Sequence, residues 1–169
     1  DIVKRVKRLT IEEIKGIELT NGERIPKFEE VLTHIGPKVR FKIDVKRGEV
    51  AERVVYTIRN FVKHKKWRYD NFLVCAWDRK ALKKIRKIDS RIPLGIFCHR
   101  HPVAFDRLAR KINAYSISVN KNVISRNVVD KAHKIGLKVF AYTANKDYEI
   151  EYLKSLGVDG IVSDYPDKI

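Results

Sequence analysis

The sequence predicts an α/β fold whose parallel sheet belongs to a (β/α) TIM barrel, incomplete because its first strands are absent from this chain. Apolar strand-like segments alternate with amphipathic helices through all 169 residues, and this alternation is typical of a parallel sheet. Successive strands begin about 20 to 32 residues apart, near the ~30 residues per unit of an eight-unit barrel. No Gly-x-Gly-x-x-Gly follows a strand, which disfavours an open doubly wound sheet.

Side-chain periodicity predicts the elements in chain order. Thr10 followed by Glu13 indicates a capping box at the start of a short first helix. Gly136 and Gly157 stand where two helices end. Apolar residues recur at helical spacing in the segments 28–35, 54–62, 81–88 and 128–135. Strands are predicted at 39–46, 71–77, 93–99, 113–119, 137–144 and 158–164.

The composition predicts a single domain over residues 1–169, about two thirds of a ~250-residue barrel. The sequence contains no methionine, so we treat the chain as a fragment or a processed piece. No apolar run approaches the ~20 residues of a membrane span. Cys75 and Cys98 lie in apolar segments, where we expect buried free thiols, and this favours the cytoplasm. A charged fraction of 34% and the absence of glutamine fit a heat-adapted source.

The net charge of +16 favours anionic partners such as phosphates, nucleic acids or acidic lipid surfaces, without choosing among them. The basic residues of segment 79–88 alternate with apolar residues at helical spacing. This spacing predicts the solvated face of an amphipathic helix rather than a dedicated nucleic-acid surface.

The predicted strand 39–46 carries the residues most suited to chemistry. Its odd positions are apolar, whereas Arg40, Lys42, Asp44 and Lys46 share the other face. Charges inside a barrel are costly unless they are paired or bind a metal or substrate. Asp44 and Lys46 lie at the carboxyl end, where barrel enzymes place their active sites. They would suit a divalent cation beside a phosphate, but a solvated polar face or a simple ion pair fits equally.

Residues 132–166 contain the most distinctive pattern in the chain. A helix ends in Ala-His, Gly-Leu follows, a strand finishes in Tyr142-Thr143-x-Asn145, and the run closes on Gly-Val-Asp-Gly-Ile-Val-Ser-Asp-Tyr-Pro. This run resembles the closing segment of the glycerophosphodiester phosphodiesterase family. Residues 9–32 resemble an earlier stretch of the same family.

The resemblance implies roles for four residues. Ile-Asp-Val-Lys at 43–46 matches the family's Ile-Glu-x-Lys, which implies Asp44 as a metal ligand and Lys46 as a catalytic group near the phosphate. Aspartate is one methylene shorter than glutamate, so the metal geometry has to adjust. Trp77 and Tyr142 stand where the family has Phe and Trp. They would wall the substrate pocket, although core packing explains each as well.

The reaction that the resemblance implies is metal-assisted hydrolysis of a small-molecule glycerophosphodiester to glycerol 3-phosphate and an alcohol. Oxygen ligands would favour Mg²⁺ or Ca²⁺. The family's His-Arg-Gly, Glu-Asn-Thr, Glu-x-Asp and His-Asp motifs, which supply further carboxylates and the acid–base histidines, do not occur in the sequence. We therefore expect this chain to be inactive by itself, although the resemblance makes it part of a phosphoric diester hydrolase. The alternative is a non-catalytic fragment or a basic module that binds phosphate or nucleic acid. A sphingomyelinase D-like or phospholipase C-like barrel stays open too.

The remaining polar candidates receive structural interpretations. His99 and His101 follow a late strand without the glycine or Glu-Asn-Thr of the family motif, so we assign them no catalytic or zinc role. His133 is predicted at a helix C-terminus, where an imidazolium favours the helix dipole. Asn145 is predicted to cap the following helix. Asp164 either orients a ligand or fixes the turn before a proline.

Overall fold

The computed structural model describes residues 8–98 and 105–169, and the chain divides into two compact units after Lys38. The first unit contains two helices, α1 (Ile11–Lys15) and α2 (Phe28–Ile35). The predicted capping box at α1 is confirmed, because the Glu13 backbone N–H donates to Thr10 Oγ1 at 3.1 Å and the Thr10 N–H donates to Glu13 Oε2 at 2.7 Å. The single domain predicted over residues 1–169 stays a prediction.

The second unit contains one parallel sheet whose six strands lie in chain order. All six predicted strands are present. They are β1 (Phe41–Val45), β2 (Phe72–Ala76), β3 (Leu94–Cys98), β4 (Ser116–Asn120), β5 (Lys138–Tyr142) and β6 (Gly160–Val162). The helices of this unit are α3 (Ala51–His64), α4 (Arg79–Ile88), α5 (Asp106–Ile112), α6 (Arg126–Lys134) and α7 (Asp147–Ser155). A strand order without reversal is that of a barrel sheet, since a doubly wound sheet reverses at a switch point.

The core lies between the outer face of the sheet and the helices. Alternate strand residues point to opposite faces, and the apolar set of each strand points outward to meet the apolar stripes of the helices. Complete burial of one such side chain stabilises the fold by about 1.5–3 kcal/mol. Among the side chains with less than 2% exposure are Val74, Leu94, Ile117 and Val139 from the strands and Ile58, Leu82, Ile85 and Leu153 from the helices.

Glycines make room for side chains on the inner face of the sheet. The register aligns Cys75, Gly95 and Ser116 across three neighbouring strands. A Cβ on Gly95 would lie 2.5 Å from Cys75 Sγ and 2.9 Å from Ser116 Oγ, and a Cβ on Gly160 would lie 2.7 Å from the Phe140 ring. Real Cβ atoms do not approach so closely, so both positions require glycine for packing.

A buried carboxylate follows α4 at the amino-terminal side of the sheet. Asp89 has 2% side-chain exposure and accepts bonds from Arg59 Nε at 2.7 Å and Arg91 Nη2 at 2.9 Å. The Arg91 backbone N–H and the Tyr69 hydroxyl also donate to it, at 3.0 and 3.3 Å. The Arg91 side chain first, and then Arg59, hold the pKa of Asp89 well below its usual range, although burial opposes the shift.

Several local predictions are settled by these elements. Cys75 and Cys98 are buried free thiols, as predicted. Gly136 and Gly157 adopt φ of 79° and 75° after their helices, which confirms the predicted caps. The predicted cap at Asn145 is wrong, because Lys146 is the N-cap of α7. The Asn145 side chain is bonded elsewhere, as described below.

None of the helices in the described ranges combines the length and the apolar character that crossing a membrane requires.

Candidate active site at the carboxyl edge of the sheet

The predicted pair of charges lies at the carboxyl end of β1. Lys46 Nζ donates to Asp44 Oδ2, and the side chains of Lys46 and Asp44 are 72% and 32% exposed. Among the described residues, Lys46 is the hydrogen-bond partner of the Asp44 carboxylate. An ammonium has three donors and a carboxylate about four lone-pair sites. The pair therefore keeps most of its bonding capacity for a ligand.

Three aromatic side chains form a wall beside this edge. Trp77, directly after β2, stacks on Phe97 of β3 with ring centroids 4.7 Å apart and planes inclined by 14°. Tyr142, the last residue of β5, meets Trp77 and Phe97 edge to face, with centroids 6.3 and 5.6 Å apart. The indole of Trp77 remains 43% exposed. The structure thus brings together Trp77 and Tyr142, the two residues predicted to line one wall of the substrate pocket.

The hydroxyl of Tyr142 is a buried polar atom in this wall. It has no hydrogen-bond partner among residues 8–98 and 105–169. Burial raises its pKa to about 12, and nearby Cys98 and Asp44 add to the shift. An unpaired buried hydroxyl costs free energy, so a hydrogen-bond acceptor that reached this atom would be stabilised.

Lys42 extends across the inner face from β1 toward β5. Its Nζ lies 5.3 Å from the Phe97 centroid and 5.5 Å from the Phe140 centroid, within the range of cation–π attraction. Desolvation lowers the pKa of Lys42, against the opposing effects of Cys75 and Asp44. These contacts are consistent with the prediction from strand alternation that the side chains of Lys42 and Asp44 point to the inner face of the sheet.

Asn145 and Asp164 tie two loops together at the same edge. Asn145 Nδ2 donates to Asp164 Oδ2 at 2.8 Å, and the Asp164 backbone N–H donates to Asn145 Oδ1 at 2.9 Å. The Ser163 hydroxyl donates to Asn145 Oδ1 at 3.2 Å. Of the two roles predicted for Asp164, these bonds favour fixing the turn after β6.

Phe97 and Lys42 are the site residues that sequence reasoning did not single out. The alternation of β3 indicates that Phe97 lies on the inner face together with Gly95. Its position between Trp77 and Tyr142 follows only from the register of the neighbouring strands. His99 and His101 lie outside the described residues.

The described side chains at this edge supply one ligand for a divalent cation and do not form a complete metal site. The Asp44 carboxylate has the hard oxygen atoms that Mg²⁺ and Ca²⁺ prefer. Within the described ranges, no group of three or more His, Cys, Asp or Glu side chains is placed to hold a metal ion.

The model of the glycerophosphoryl diester phosphodiesterase family matches residues 1–168. The chain belongs to this family. It is thus a member of a family of phosphoric diester hydrolases, as its sequence patterns predicted. A glycerophosphodiester phosphodiesterase of Caldanaerobacter subterraneus is 27% identical over 177 residues, with 97% of this chain and 71% of the relative covered.

Solved structures of family members share the fold. A glycerophosphodiester phosphodiesterase of Parabacteroides distasonis matches with a TM-score of 0.77 at 19% identity, covering 94% of this chain and 68% of its own. An Oleispira antarctica phosphodiesterase, solved with the product sn-glycerol-3-phosphate, matches at 0.70 and 21% identity, covering 86% and 60%. Together with the six parallel strands, these likenesses confirm the predicted incomplete α/β barrel.

Proposed function

We propose that this chain contributes to the hydrolysis of glycerophosphodiesters, releasing glycerol 3-phosphate and an alcohol. The observation that carries the proposal is the open Asp44–Lys46 pair at the carboxyl end of β1, beside an aromatic wall. Family membership over residues 1–168 supports the reaction class. The glycerol 3-phosphate bound by the Oleispira antarctica phosphodiesterase supports the product.

Lys46 is proposed as the residue that binds the phosphate. Its ammonium has two donors left after the bond to Asp44, and 72% of its side chain is open to solvent. A fixed positive charge stabilises the extra negative charge that a phosphodiester gains in the transition state. Because Asp44 holds Lys46 at the strand end, the ammonium is oriented before the substrate arrives.

Trp77 and Tyr142 are proposed to bind the glycerol or the leaving alcohol. Their rings offer apolar surface to the carbon atoms, and the buried Tyr142 hydroxyl offers a hydrogen bond to an oxygen. Pockets that pair an apolar lining with a few placed polar groups are typical of small-molecule sites. The expected substrate is therefore a small soluble diester.

Asp44 is proposed as one ligand of a divalent cation, Mg²⁺ or Ca²⁺, on the strength of its oxygen chemistry. Such a cation supplies Lewis-acid stabilisation of phosphoryl charge when it is bound. Its other ligands would come from outside the described residues. The cytoplasmic location and the heat-adapted source indicated by composition stay predictions.

The test measures glycerol 3-phosphate released from glycerophosphocholine, with and without a chelator. In a longer chain that also carries the family's missing carboxylates and histidines, we expect release that the chelator stops and that Asp44→Asn reduces at least 100-fold, since the loss of one electrostatic contact to the transition state costs roughly that much. The 169 residues alone should release little. Asp130→Asn, an exposed position on α6, is the matched control and should keep full activity. Absence of release from the folded longer chain would favour the non-catalytic, phosphate-binding alternative.

A further inference from the structure

One helix carries a dense run of positive charge without a neutralising acid in its own sequence. The ten residues of α4 include six Lys or Arg and no acidic residue in the first turn or elsewhere. In contrast, α7 carries three acidic residues and one lysine. Positive charge is therefore distributed unevenly between these two helices.

The exposed basic residues of α4 form a stripe on its outer side. Ala81, Leu82 and Ile85 are buried in the core, so the apolar side of the helix is already occupied. The exposed positions recur at the three- and four-residue spacing of one helical face. Those with this spacing are Lys80, Lys83, Lys84 and Lys87, and Arg79 at the start of the helix is exposed as well.

A second stripe lies on α5, and Arg86 joins the two helices. Arg86 Nε donates to the Ile112 carbonyl at 2.6 Å and Nη2 donates to the Asn113 carbonyl at 3.1 Å, which ties the end of α4 to the end of α5. The exposed basic residues of α5 are Arg107, Arg110 and Lys111. We define the basic face as seven exposed residues of the two helices, which are Lys80, Lys83, Lys84, Lys87, Arg107, Arg110 and Lys111.

Few acids neutralise the basic face. Lys84 pairs with Glu52 of α3 at 2.9 Å. Asp106, the acidic residue of α5, pairs instead with Lys131 of α6 at 3.5 Å. Among the described residues, the other six members of the basic face have no carboxylate within ion-pair distance. Charges that repel one another on a folded surface are stabilised by an external anionic partner.

We propose that the basic face docks the protein on an anionic phospholipid bilayer. Five of the seven residues of the basic face are lysine, whose flexible point charge suits many diffuse contacts with lipid headgroups. A nucleic acid is disfavoured because neither helix carries an aromatic residue on which bases could stack. Because the apolar side of α4 is buried, docking is electrostatic and does not require helix insertion. It goes beyond the proposed hydrolysis and does not depend on it.

The experiment is cosedimentation with vesicles of phosphatidylcholine alone or mixed with phosphatidylglycerol. We expect binding to the mixed vesicles that weakens steeply at high salt, because the Debye length falls from about 10 Å at 0.1 M to about 3 Å at 1 M. The variant Lys80→Glu/Lys83→Glu/Lys87→Glu/Arg110→Glu should bind at least 100-fold more weakly, since each basic residue near an anionic surface contributes roughly fivefold.

The matched control is Lys65→Glu/Lys66→Glu/Lys134→Glu/Lys154→Glu, which lowers the net charge equally at exposed positions of the second unit outside α4 and α5. It should retain most of the binding. The proposal is overturned if both variants weaken binding equally, or if both vesicle types bind alike. It is also overturned if the basic-face variant loses binding to single-stranded RNA but not to vesicles. Circular dichroism checks folding, and glutamine versions of both variants serve if the glutamates unfold the chain.

Hydrolysis provides an independent readout. The basic-face variant should release glycerol 3-phosphate from the soluble diester at the native rate, because none of its four positions belongs to the carboxyl-edge site. Vesicle binding is measured without substrate, so its outcome and that of the proposed hydrolysis are separate.

Discussion

Two aspartates at opposite ends of the sheet meet basic partners in different ways. Asp89, at the amino-terminal side, is 2% exposed and receives bonds from two arginines, a backbone N–H and a tyrosine. Asp44, at the carboxyl edge, is 32% exposed and is bonded by Lys46. The first carboxylate has its bonding capacity filled, whereas the second keeps most of its capacity open.

The difference in unused bonding capacity distinguishes a structural carboxylate from one that can bind a ligand. A buried carboxylate without full bonding would cost several kcal/mol, so the Asp89 cluster forms a satisfied network that secures α3 and α4 to the sheet. An exposed ion pair contributes only about 0–1 kcal/mol to stability. The Asp44–Lys46 pair is therefore a poor structural element and a suitable binding element.

The largest effect is expected from replacement of the ammonium at the open pair. Lys46→Met should lower kcat/KM for glycerophosphocholine at least 100-fold, about 3 kcal/mol of transition-state stabilisation, and leave the free energy of unfolding nearly unchanged. Lys134→Met on α6, another exposed lysine, should alter neither quantity. A Lys46 variant that is active but unstable would reverse the assignment of the two clusters.

Asp89→Asn should give the largest loss of stability. The isosteric amide cannot accept charge-assisted bonds from both arginines, and we expect about 3 kcal/mol less free energy of unfolding. Urea denaturation followed by circular dichroism measures this value. Asp70→Asn is the control, because Asp70 forms an exposed pair with Arg68 at 3.5 Å. Equal losses in both variants would show that the buried network contributes no more than a surface pair.

Overpacking beneath the site should have an intermediate effect. Gly95→Ala would force its methyl against Cys75 Sγ and Ser116 Oγ, with an expected loss of about 2 kcal/mol in the free energy of unfolding. Gly16→Ala meets only ordinary contacts at 3.5 Å and beyond and should change stability little. If Gly95→Ala were neutral in urea denaturation, the inner face would be looser than the register indicates.

The smallest effect concerns acid stability. Burial would raise the pKa of Asp159, but bonds from Lys138, the Val139 N–H and His133 outweigh it and lower the pKa. A lowered folded-state pKa stabilises the protein above the unfolded value of about 3.9, and this stabilisation is lost as the pH falls through the folded value. Asp159→Asn should therefore cost about 1 kcal/mol at pH 7 and progressively less below pH ~4. A constant difference across urea titrations from pH 7 to pH 3 would contradict this linkage.

Local pattern was sufficient to predict the strands and the Thr10 capping box, and it gave the ion pair between Asp44 and Lys46 as one of the alternatives. Each depends on residues within about four positions of one another or on strand alternation. The role of Asn145 could not be predicted this way, because its partner Asp164 lies 19 residues away and outcompetes a local cap. The Arg59–Asp89 bond, across 30 residues, had no local signal either.

Local sequence pattern was also insufficient to predict how the aromatic wall of the site is assembled. The family resemblance predicted Trp77 and Tyr142 as separate wall residues, but their meeting through Phe97 depends on the register of β2, β3 and β5. Register depends on the whole pattern of buried faces, which one strand does not contain. The contacts of the Lys42 ammonium could not be predicted from β1 alone either, because its partners Phe97 and Phe140 lie on β3 and β5.

The central claim is that the open pair at the carboxyl edge binds phosphate. Calorimetric titration of sn-glycerol 3-phosphate into the native chain, Lys46→Met and Lys134→Met tests it without depending on turnover. We predict saturable binding of sn-glycerol 3-phosphate by the native chain and by Lys134→Met. Lys46→Met should bind it at least tenfold more weakly, since a charge-assisted hydrogen bond contributes about 1.5–3 kcal/mol. Equal affinity in all three proteins would contradict it.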